Sequence, residues 1–281
     1  LDLDGVLEGA QFGFPALTPA SALALRSLLA HGYRPVLATG RSLDEAAERC
    51  RAYGLAGAVA EYGSVTFRTA DGRVRSLLGE RETDALERLR AWLRGLDGVV
   101  LDPCYEHAVR AFDARGGRGG NGWRGPLPAR LAAEAIALAG GGVEAIVGDG
   151  QTDFVASTVD KGSGLRALAT ALACPPGRPC ALAVGDSAPD LPLAQTAALA
   201  CAPRHADPVL ARGFQIMRSP YQAGLAQAVS RLLGHAPGGC ARCSLPSGTP
   251  ERALTRSLLG VAEHGRAGIV KRGLELWWRA R

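Results

Sequence analysis

Two aspartates stand one residue apart at the start of the chain, in the stretch LDLDGVLEG. A carboxylate can attack phosphorus and form an acyl-phosphate, while a second acid protonates the leaving alcohol and then activates water. If residues 1–4 end an apolar strand, alternation places Asp2 and Asp4 on the same side. Gly5 then permits close approach of the backbone to a ligand. The strand is short and the chain begins without methionine, which leaves a segment upstream of it open.

Polar residues also follow or begin other segments of the predicted sheet. Thr39 ends the apolar run RPVLATG, Lys161 stands in VDKGSGL, and Asp186 and Asp190 follow PCALAV. In an open parallel sheet, ligands gather at the carboxyl ends of the strands. Mg²⁺ would offset the repulsion between these acids and a phosphoryl group, a lysine adds a fixed positive charge, and a threonine hydroxyl binds phosphate oxygens. Phosphoryl-transfer chemistry is therefore the activity that these residue types suit best.

Taken together, four stretches closely resemble the motifs of the haloacid dehalogenase superfamily of phosphohydrolases. They are DLDGVL (2–7), ATGRS (38–42), DKGSGL (160–165) and GDSAPD (185–190). The resemblance spans residues 1 to about 235 and implies an α/β fold with a doubly wound, parallel-sheet, Rossmann-like core. For catalysis, it implies Asp2 as nucleophile, Asp4 as general acid/base, Thr39 as phosphate anchor and Lys161 as charge clamp. At the metal, it implies Asp2, Asp4 (through its carbonyl), Asp186 and Asp190. The residues predicted to bind substrate are Gly5, Gly40 and Arg41. For Arg41, the alternative of capping a helix stays open.

Residues 64–158 differ from the rest, because strands gather there around two helices. A hairpin turning on Asp71-Gly72 opens this segment, and Glu106, His107 and Arg110 are predicted on a later strand. Such a pattern indicates an inserted α+β module, which we call the cap. We predict a core of residues 1–63 and 159–235, a cap of residues 64–158, and a linker with a basic helical tail at residues 236–281.

The cap and the fourth motif resemble those of the sugar-phosphatase branch, whose insertions are of the C2 type. GDSAPDLPL is similar to the corresponding motif of mannosyl-3-phosphoglycerate and sucrose phosphatases, although Pro189 stands where that branch usually has Asn. AEYGS (60–64) stands where relatives often have Glu-Asn-Gly. The resemblance implies an enzyme, a Mg²⁺-dependent phosphoric monoester hydrolase that forms a phosphoaspartate. Its small phosphorylated substrate would be a sugar phosphate or a sugar-phosphoglycerate.

Two other functions stay open at this point. A phosphosugar mutase of the same superfamily would use the same nucleophile and return the phosphoryl group to another hydroxyl. A catalytically silent docking domain of a longer polypeptide would keep the fold without the activity, and the basic tail with its Trp277-Trp278 pair favours it. The complete set of four acids and one lysine favours the enzyme more strongly.

Composition and charge indicate which binding partners and which cellular compartment to expect. The chain has 32 basic and 27 acidic residues, and residues 236–281 hold eight of the former and three of the latter. We interpret that excess as a solvated helix rich in arginine and expect no nucleic-acid partner. No apolar run approaches the ~20 residues that cross a bilayer, and there is no leader pattern. We therefore predict a cytoplasmic protein with no membrane partner, and leave its oligomeric state open.

The seven cysteines are an odd number and lie scattered through apolar stretches. That distribution favours free thiols in a reducing compartment over a disulfide scaffold. Cys240 and Cys243 form a CxxC in GGCARCSLP. A zinc site needs about four ligands, and no second pair stands at a suitable spacing, so this pair is weak support for a metal and for redox chemistry alike.

Overall fold

Short strands and helices alternate along the chain as the sequence pattern predicts. A computed structural model describes residues 1–11, 14–115, 125–148 and 150–244. The predicted basic helical tail, from residue 245 onward, lies outside the described residues. Within the described ranges, none of the helices has the length and apolar character needed to cross a membrane.

The elements of the described residues are numbered in chain order. The strands are β1 (Glu8–Gln11), β2 (Phe14–Leu17), β3 (Val36–Ala38), β4 (Gly57–Ala60), β5 (Val65–Arg68), β6 (Val74–Ser76), β7 (Val99–Leu101), β8 (Val109–Asp113), β9 (Val143–Val147), β10 (Thr152–Ala156), β11 (Ala183–Val184), β12 (Ala200–Ala202) and β13 (Gln215–Ile216). The α-helices are α1 (Pro19–Ala30), α2 (Leu43–Tyr53), α3 (Glu80–Arg94), α4 (Ala129–Ala139), α5 (Lys161–Ala171), α6 (Leu191–Ala194) and α7 (Tyr221–Leu233).

The chain divides into two units, and each is described by itself. The first unit comprises residues 1–35 and the described residues from 177 onward, and the second comprises residues 36–176. In the first unit, β11, β12 and β13 form a parallel sheet, β1 and β2 form an antiparallel hairpin, and α1 packs against α7. Apolar residues including Leu3, Leu7 and Val184 are completely buried there, as expected for strands and turns that face helices.

The second unit contains two sheets. In the first, β3 and β4 are parallel, while β5 and β6 continue the sheet in antiparallel fashion beyond β4. In the other, the order is β7-β8-β10-β9 and every pairing is antiparallel. Helices α3 and α4 cover this second sheet, with Leu89, Leu93 and Phe154 in their shared core. Parallel pairs and an α+β module occur as the fold class predicts.

The predicted hairpin at Asp71-Gly72 is present, but its sheet differs from the expected one. Residues of β5 pair with β4, so the hairpin belongs to the sheet of β3 and β4 and not to the antiparallel sheet β7–β10. β4 ends at Ala60 and β5 begins at Val65, so these consecutive strands pair antiparallel across the turn at residues 61–64 and the hairpin extends that sheet. The division into a core of 1–63 and 159–235 and a cap of 64–158 stays a prediction.

Two local predictions are wrong. Residues 1–3 do not form a regular strand, although the Asp2 N–H donates to the Val184 carbonyl (2.8 Å). The chain turns at once, with Leu7 and Glu8 both donating to the Leu3 carbonyl, so alternation fails: Asp2 is buried and Asp4 is exposed.

The second correction concerns the predicted cap strand. Glu106 and His107 lie in the loop before β8, and only Arg110 lies on that strand. The loop holds its conformation through Arg90, whose guanidinium donates to the carbonyls of Tyr105, Glu106 and Ala108. Carbonyls that bond to a side chain in this way are not free to extend a strand ladder.

Helices α1, α2 and α5 begin or end at residues that favour helix ends. Thr18 and Ser42 accept hydrogen bonds from the first turns of α1 and α2, and Gly54 ends α2 in the left-handed region with φ +66°. Asp160 caps α5, because its carboxylate accepts the Ser163 N–H (2.6 Å) while the Ser163 hydroxyl accepts the Asp160 N–H (2.8 Å). The start of α5, where the predicted Lys161 stands, is therefore fixed.

Gly63, in the loop after β4, lies directly against this helix start. Its φ is +115°, and a Cβ there would come 2.2 Å from the Asp160 carbonyl oxygen. We expect Gly63→Ala to lower the free energy of unfolding by about 3 kcal/mol or more, because it adds a backbone clash to a conformation that L-residues avoid. The matched control is Gly54→Ala, since Gly54 also has positive φ but nothing within 4 Å of the added Cβ. We expect about 1 kcal/mol there, and equal losses in urea unfolding would contradict the close contact.

Candidate functional site

Three of the predicted acids come together in the first unit. Asp2, Asp186 and Asp190 each offer a carboxylate oxygen, and these oxygens all lie within 4.8 Å of one another. Asp2 and Asp190 are buried and Asp186 is half-buried. Buried carboxylates at this separation repel one another, and hydrogen-bond donors or positive charge lower that repulsion. Hard carboxylate oxygens are ligands that Mg²⁺ prefers, so the donor set fits that ion.

The loop from Gly185 to Asp190 is held by one carboxylate oxygen. Asp190 Oδ2 accepts the N–H groups of Asp186 (3.0 Å) and Ser187 (3.1 Å) and the Ser187 hydroxyl (3.1 Å). This bonding closes the turn without a side-chain amide at Pro189, where the resembled branch usually has Asn. A Cβ on Gly185 would come 2.5 Å from the Asp190 side chain, so glycine is required there.

Asp186 is oriented by a histidine that the motifs do not include. The Tyr221 N–H donates to His205 Nδ1 (3.0 Å), which leaves the proton of the neutral ring on Nε2. Nε2 then donates to Asp186 Oδ2 at 3.0 Å. The His205 ring also stacks on Tyr221 with ring centres 3.9 Å apart. His205 therefore has a fixed tautomer and holds one oxygen of a predicted metal ligand.

Gly5 brings the backbone next to the same carboxylate. It has φ +77°, and a Cβ there would lie 1.9 Å from Asp186 Oδ2. Only glycine suits both that conformation and that approach. Asp4 precedes it, is exposed and forms an isolated bridge with Glu8. The first motif thus supplies the buried Asp2, the exposed Asp4, and Gly5, whose backbone lies close to Asp186 of the fourth motif.

The second motif lies at the end of β3 in the second unit. Thr39 is completely buried, its N–H donates to the Val59 carbonyl (2.9 Å), and its hydroxyl accepts the Arg41 N–H (3.1 Å). Gly40 faces the Tyr62 ring so closely that a Cβ would come 2.4 Å from it. The Arg41 guanidinium donates to the Glu45 carboxylate (2.8 Å), one turn along the chain.

Lys161, the predicted charge clamp, is the first residue of α5 and is 2% exposed. An ammonium group in so dry a place has to be compensated by nearby polar or charged groups. Its position is set by the N-cap at Asp160 and by the contact between Asp160 and Gly63. A positive charge held at a helix start suits an anionic ligand.

A buried polar network stands beside Gly40. The Arg110 guanidinium forms a bidentate pair with the Asp153 carboxylate (2.6 and 2.8 Å), and the Tyr62 hydroxyl donates to the same carboxylate (2.6 Å). Burial, together with the Asp153 charge, raises the pKa of Tyr62 above its ordinary range, so its hydroxyl remains a donor. The Arg110 guanidinium also lies 4.3 Å above the Tyr105 ring.

Two further contacts connect this region to the second motif. The Tyr105 hydroxyl donates to the Gly40 carbonyl (3.2 Å). Glu61 is completely buried and accepts the N–H groups of His107 (2.7 Å) and Leu43 (3.3 Å). Two residues of AEYGS, which stands where relatives often have Glu-Asn-Gly, thus bind protein groups. Glu61 accepts hydrogen bonds from two loops, and Tyr62 donates to Asp153.

The motifs did not include Asp153 or His205, and the AEYGS stretch gave no role for Tyr62. Signals for them exist in the sequence, although they are weaker. An acid inside the apolar strand TDFVA predicts a buried partner, and a histidine in PRHADP follows a strand end of the parallel sheet. Their partners lie far away in the chain, and sequence spacing does not identify them.

Comparisons with known proteins agree with this architecture. No family model matches the chain, and no curated protein sequence matches it significantly. Solved structures do match. A haloacid dehalogenase-like hydrolase from Bacteroides thetaiotaomicron has a TM-score of 0.64 at 15% identity, covering 82% of this chain and 97% of that one. The chain has the haloacid dehalogenase fold.

Other structures with the haloacid dehalogenase fold are similar to the same extent. The sucrose-phosphatase from Synechocystis sp., solved with sucrose and phosphate, has a TM-score of 0.57 at 18% identity. The match covers 82% of this chain and 95% of the sucrose-phosphatase chain. A subclass IIB sugar phosphatase has a TM-score of 0.60 at 13% identity and covers 83% of this chain and 97% of its own. The predicted resemblance to this superfamily is confirmed at the level of the fold.

The Asp153–Arg110 pair allows a test of how strongly the buried network is held. Asp153→Asn leaves a buried guanidinium without its counter-charge, so we expect unfolding free energy to fall by about 3 kcal/mol. The matched control is Asp71→Asn in the exposed Arg68–Asp71 pair, where solvent screens the charge and the loss should be much smaller. Similar losses in denaturant titrations of the two variants would show that Asp153 is not the anchor described here.

Proposed function

We propose that this protein is a Mg²⁺-dependent phosphatase that hydrolyses a small phosphomonoester. The observation that carries the proposal is the gathering of the Asp2, Asp186 and Asp190 carboxylates within 4.8 Å, in a chain with the haloacid dehalogenase fold. A fold alone does not define an activity, but this site has the residue types that the chemistry needs. The roles below follow the resemblance of the four motifs to that superfamily.

Asp2, Asp186 and Asp190 would hold the Mg²⁺, with the Asp4 carbonyl completing the protein ligands. The fit rests on the close approach of three carboxylate oxygens and on the preference of Mg²⁺ for such ligands. When bound, Mg²⁺ supplies positive charge that offsets the repulsion between the phosphoryl group and these carboxylates. His205, which donates to Asp186, is a positioning residue in this proposal.

In the first half-reaction, an Asp2 carboxylate oxygen attacks phosphorus. The phosphorus–oxygen bond to the substrate alcohol breaks, and Asp4 gives its proton to the departing oxygen, leaving an acyl-phosphate on Asp2. In the second half-reaction, Asp4 takes a proton from water as that water attacks phosphorus. The Asp2–phosphate bond then breaks, which returns the Asp2 carboxylate and releases inorganic phosphate.

Thr39 and Lys161 serve the phosphoryl group in this mechanism. The Thr39 hydroxyl, whose oxygen accepts the Arg41 N–H, and the Gly40 N–H would donate to phosphate oxygens, and the Lys161 ammonium would balance the negative charge that develops on them. Gly40 and Gly5 allow the backbone to come close. Arg41 takes part through its backbone here, since its guanidinium binds Glu45.

For the substrate, we propose a phosphorylated sugar or a sugar-phosphoglycerate. Support comes from the fourth motif, which resembles that of sugar phosphatases, and from the sugar phosphatases among structures with the same fold. We further propose that the inserted α+β module of residues 64–158 acts as the cap that excludes bulk water and selects the sugar.

Phosphate release from a panel of sugar phosphates and sugar-phosphoglycerates tests the activity. We expect turnover with Mg²⁺, none with EDTA, and a loss of about 10³-fold or more in Asp2→Asn, which keeps the shape of the side chain but removes the nucleophile. Asp97→Asn is the control, because Asp97 is fully exposed and has no part in the mechanism. Isomerised sugar phosphate without free phosphate would favour a mutase instead. No turnover in a folded protein would favour a silent domain.

His205→Ala tests the positioning of Asp186. The variant loses the N–H donor that orients this carboxylate, so we expect the Mg²⁺ concentration for half-maximal activity to rise about 10- to 100-fold. The substrate KM at saturating Mg²⁺ should change much less. An unchanged Mg²⁺ requirement would remove His205 from the proposal while leaving the Asp2 mechanism intact.

A further inference from the structure

Four metal-ligating side chains that the proposed phosphatase does not use come together in the first unit. They are His31, His235, Cys240 and Cys243, and one ligand atom from each lies within 4.8 Å of all the others. The two histidines and Cys240 are half-buried and Cys243 is completely buried. The CxxC pair is weak support by itself, but the fold supplies the two further ligands that the sequence spacing did not reveal.

Three separate parts of the chain deliver these ligands to one place. His31 follows the last residue of α1 and His235 follows Gly234, the glycine that ends α7; these two helices pack against each other. The segment after α7 then turns back, with the N–H groups of Cys243 (3.2 Å) and Ser244 (2.8 Å) both donating to the Cys240 carbonyl. This turn places both sulfurs on the same side as the histidines.

The separations match a tetrahedral zinc site. Zinc bonds of about 2.3 Å to sulfur and about 2.05 Å to nitrogen separate two sulfurs by about 3.8 Å, sulfur and nitrogen by about 3.6 Å, and two nitrogens by about 3.3 Å. The structure has 3.5 Å between Cys240 Sγ and Cys243 Sγ, 3.5 Å between Cys240 Sγ and His31 Nε2, and 3.3 Å between the two Nε2 atoms. The two sulfurs are too far apart for a disulfide, whose bond is about 2.05 Å.

Hydrogen bonds on the far side of each imidazole favour a metal. His31 Nδ1 lies 2.8 Å from the Ser27 carbonyl and His235 Nδ1 lies 2.9 Å from the Ala236 carbonyl. A carbonyl only accepts, so each Nδ1 carries the proton and each neutral ring turns the lone pair of Nε2 toward the cluster. Two such lone pairs 3.3 Å apart repel each other, and a cation between them removes the repulsion.

We propose that His31, His235, Cys240 and Cys243 bind one Zn²⁺ in a structural site. Two thiolates and two imidazoles in tetrahedral spacing select zinc over Mg²⁺, which prefers oxygen ligands. Four protein ligands close the coordination shell, so the metal has no open position for a substrate. The zinc joins the ends of α1 and α7 to the 236–244 segment and stands apart from the three-carboxylate cluster in both ligand type and role.

Metal analysis of the protein of residues 1–281 tests this site independently of any phosphatase activity. We expect about one zinc per chain in wild type after dialysis, and a loss to background in Cys240→Ser and in His235→Gln. Cys104→Ser is the matched control, because Cys104 is an exposed free cysteine in the other unit. Asp2→Asn is a second control and should retain the zinc, which excludes the carboxylate cluster as its source. Zinc retained by Cys240→Ser and His235→Gln, or lost from Asp2→Asn, would overturn the assignment.

Cobalt substitution of wild type gives a readout that does not depend on variants folding. Co²⁺ in this site should show thiolate-to-cobalt charge-transfer bands together with the strong visible bands of a tetrahedral ion, and zinc should displace it. Removal of the metal with a chelator should lower the melting temperature, and added Zn²⁺ should restore it. A wild-type protein that takes up neither metal under reducing conditions would overturn the proposal, and so would a Cys240–Cys243 disulfide in the protein as isolated.

Discussion

The repulsion among three crowded carboxylates is the constraint on which the rest of the first unit depends. Asp2, Asp186 and Asp190 bring their oxygens within 4.8 Å in a largely dry environment. The chain meets that cost locally with donors: two backbone N–H groups and a hydroxyl for Asp190, and the His205 ring for Asp186. Each donor restricts the backbone around it, so glycine is required at Gly5 and Gly185, where a side chain would meet these carboxylates. A site that concentrates negative charge in this way is well suited to hold a divalent cation.

In the second unit, the buried guanidinium of Arg110 is the charge around which neighbouring polar side chains are arranged. Arg110 packs against Asp153 and Tyr105. The Tyr62 hydroxyl donates to Asp153, and the Tyr105 hydroxyl donates to the Gly40 carbonyl in the turn after β3. Tyr62 therefore binds a protein group, Asp153, whereas the relatives that the motif resembles often have asparagine at this position. A large aromatic side chain also covers Gly40 at close range.

The four motifs were sufficient to predict the fold class, because each is a contiguous stretch and together they resemble one superfamily. Thr18, Ser42 and Gly54 mark helix ends because capping depends on residues a few positions apart. The same local information failed for the hairpin at residues 65–76, whose sheet is decided by pairing with β4, and for Asp4, which a tight turn exposes. Asp2, Asp186 and Asp190 could be identified because their motifs are contiguous. The partners of Asp153 and of the CxxC pair could not. Arg110 and His31 stand far from them in the chain, and His235, although only five residues before Cys240, lacks a second ligand nearby in the sequence that would mark it as part of a metal site.

The discontinuity of the first unit affects the order in which the protein can be built. The second unit is one continuous segment, residues 36–176, and all of its internal pairings are available once that segment has left the ribosome. Residues 1–35 emerge earlier but must wait for β11, because Asp2 bonds to Val184. Asp2 is thus made before the second unit and acquires its neighbours Asp186 and Asp190 only after that unit has been made. A product released before residue 186 would contain every element of the second unit and lack two of the three acids of the carboxylate cluster.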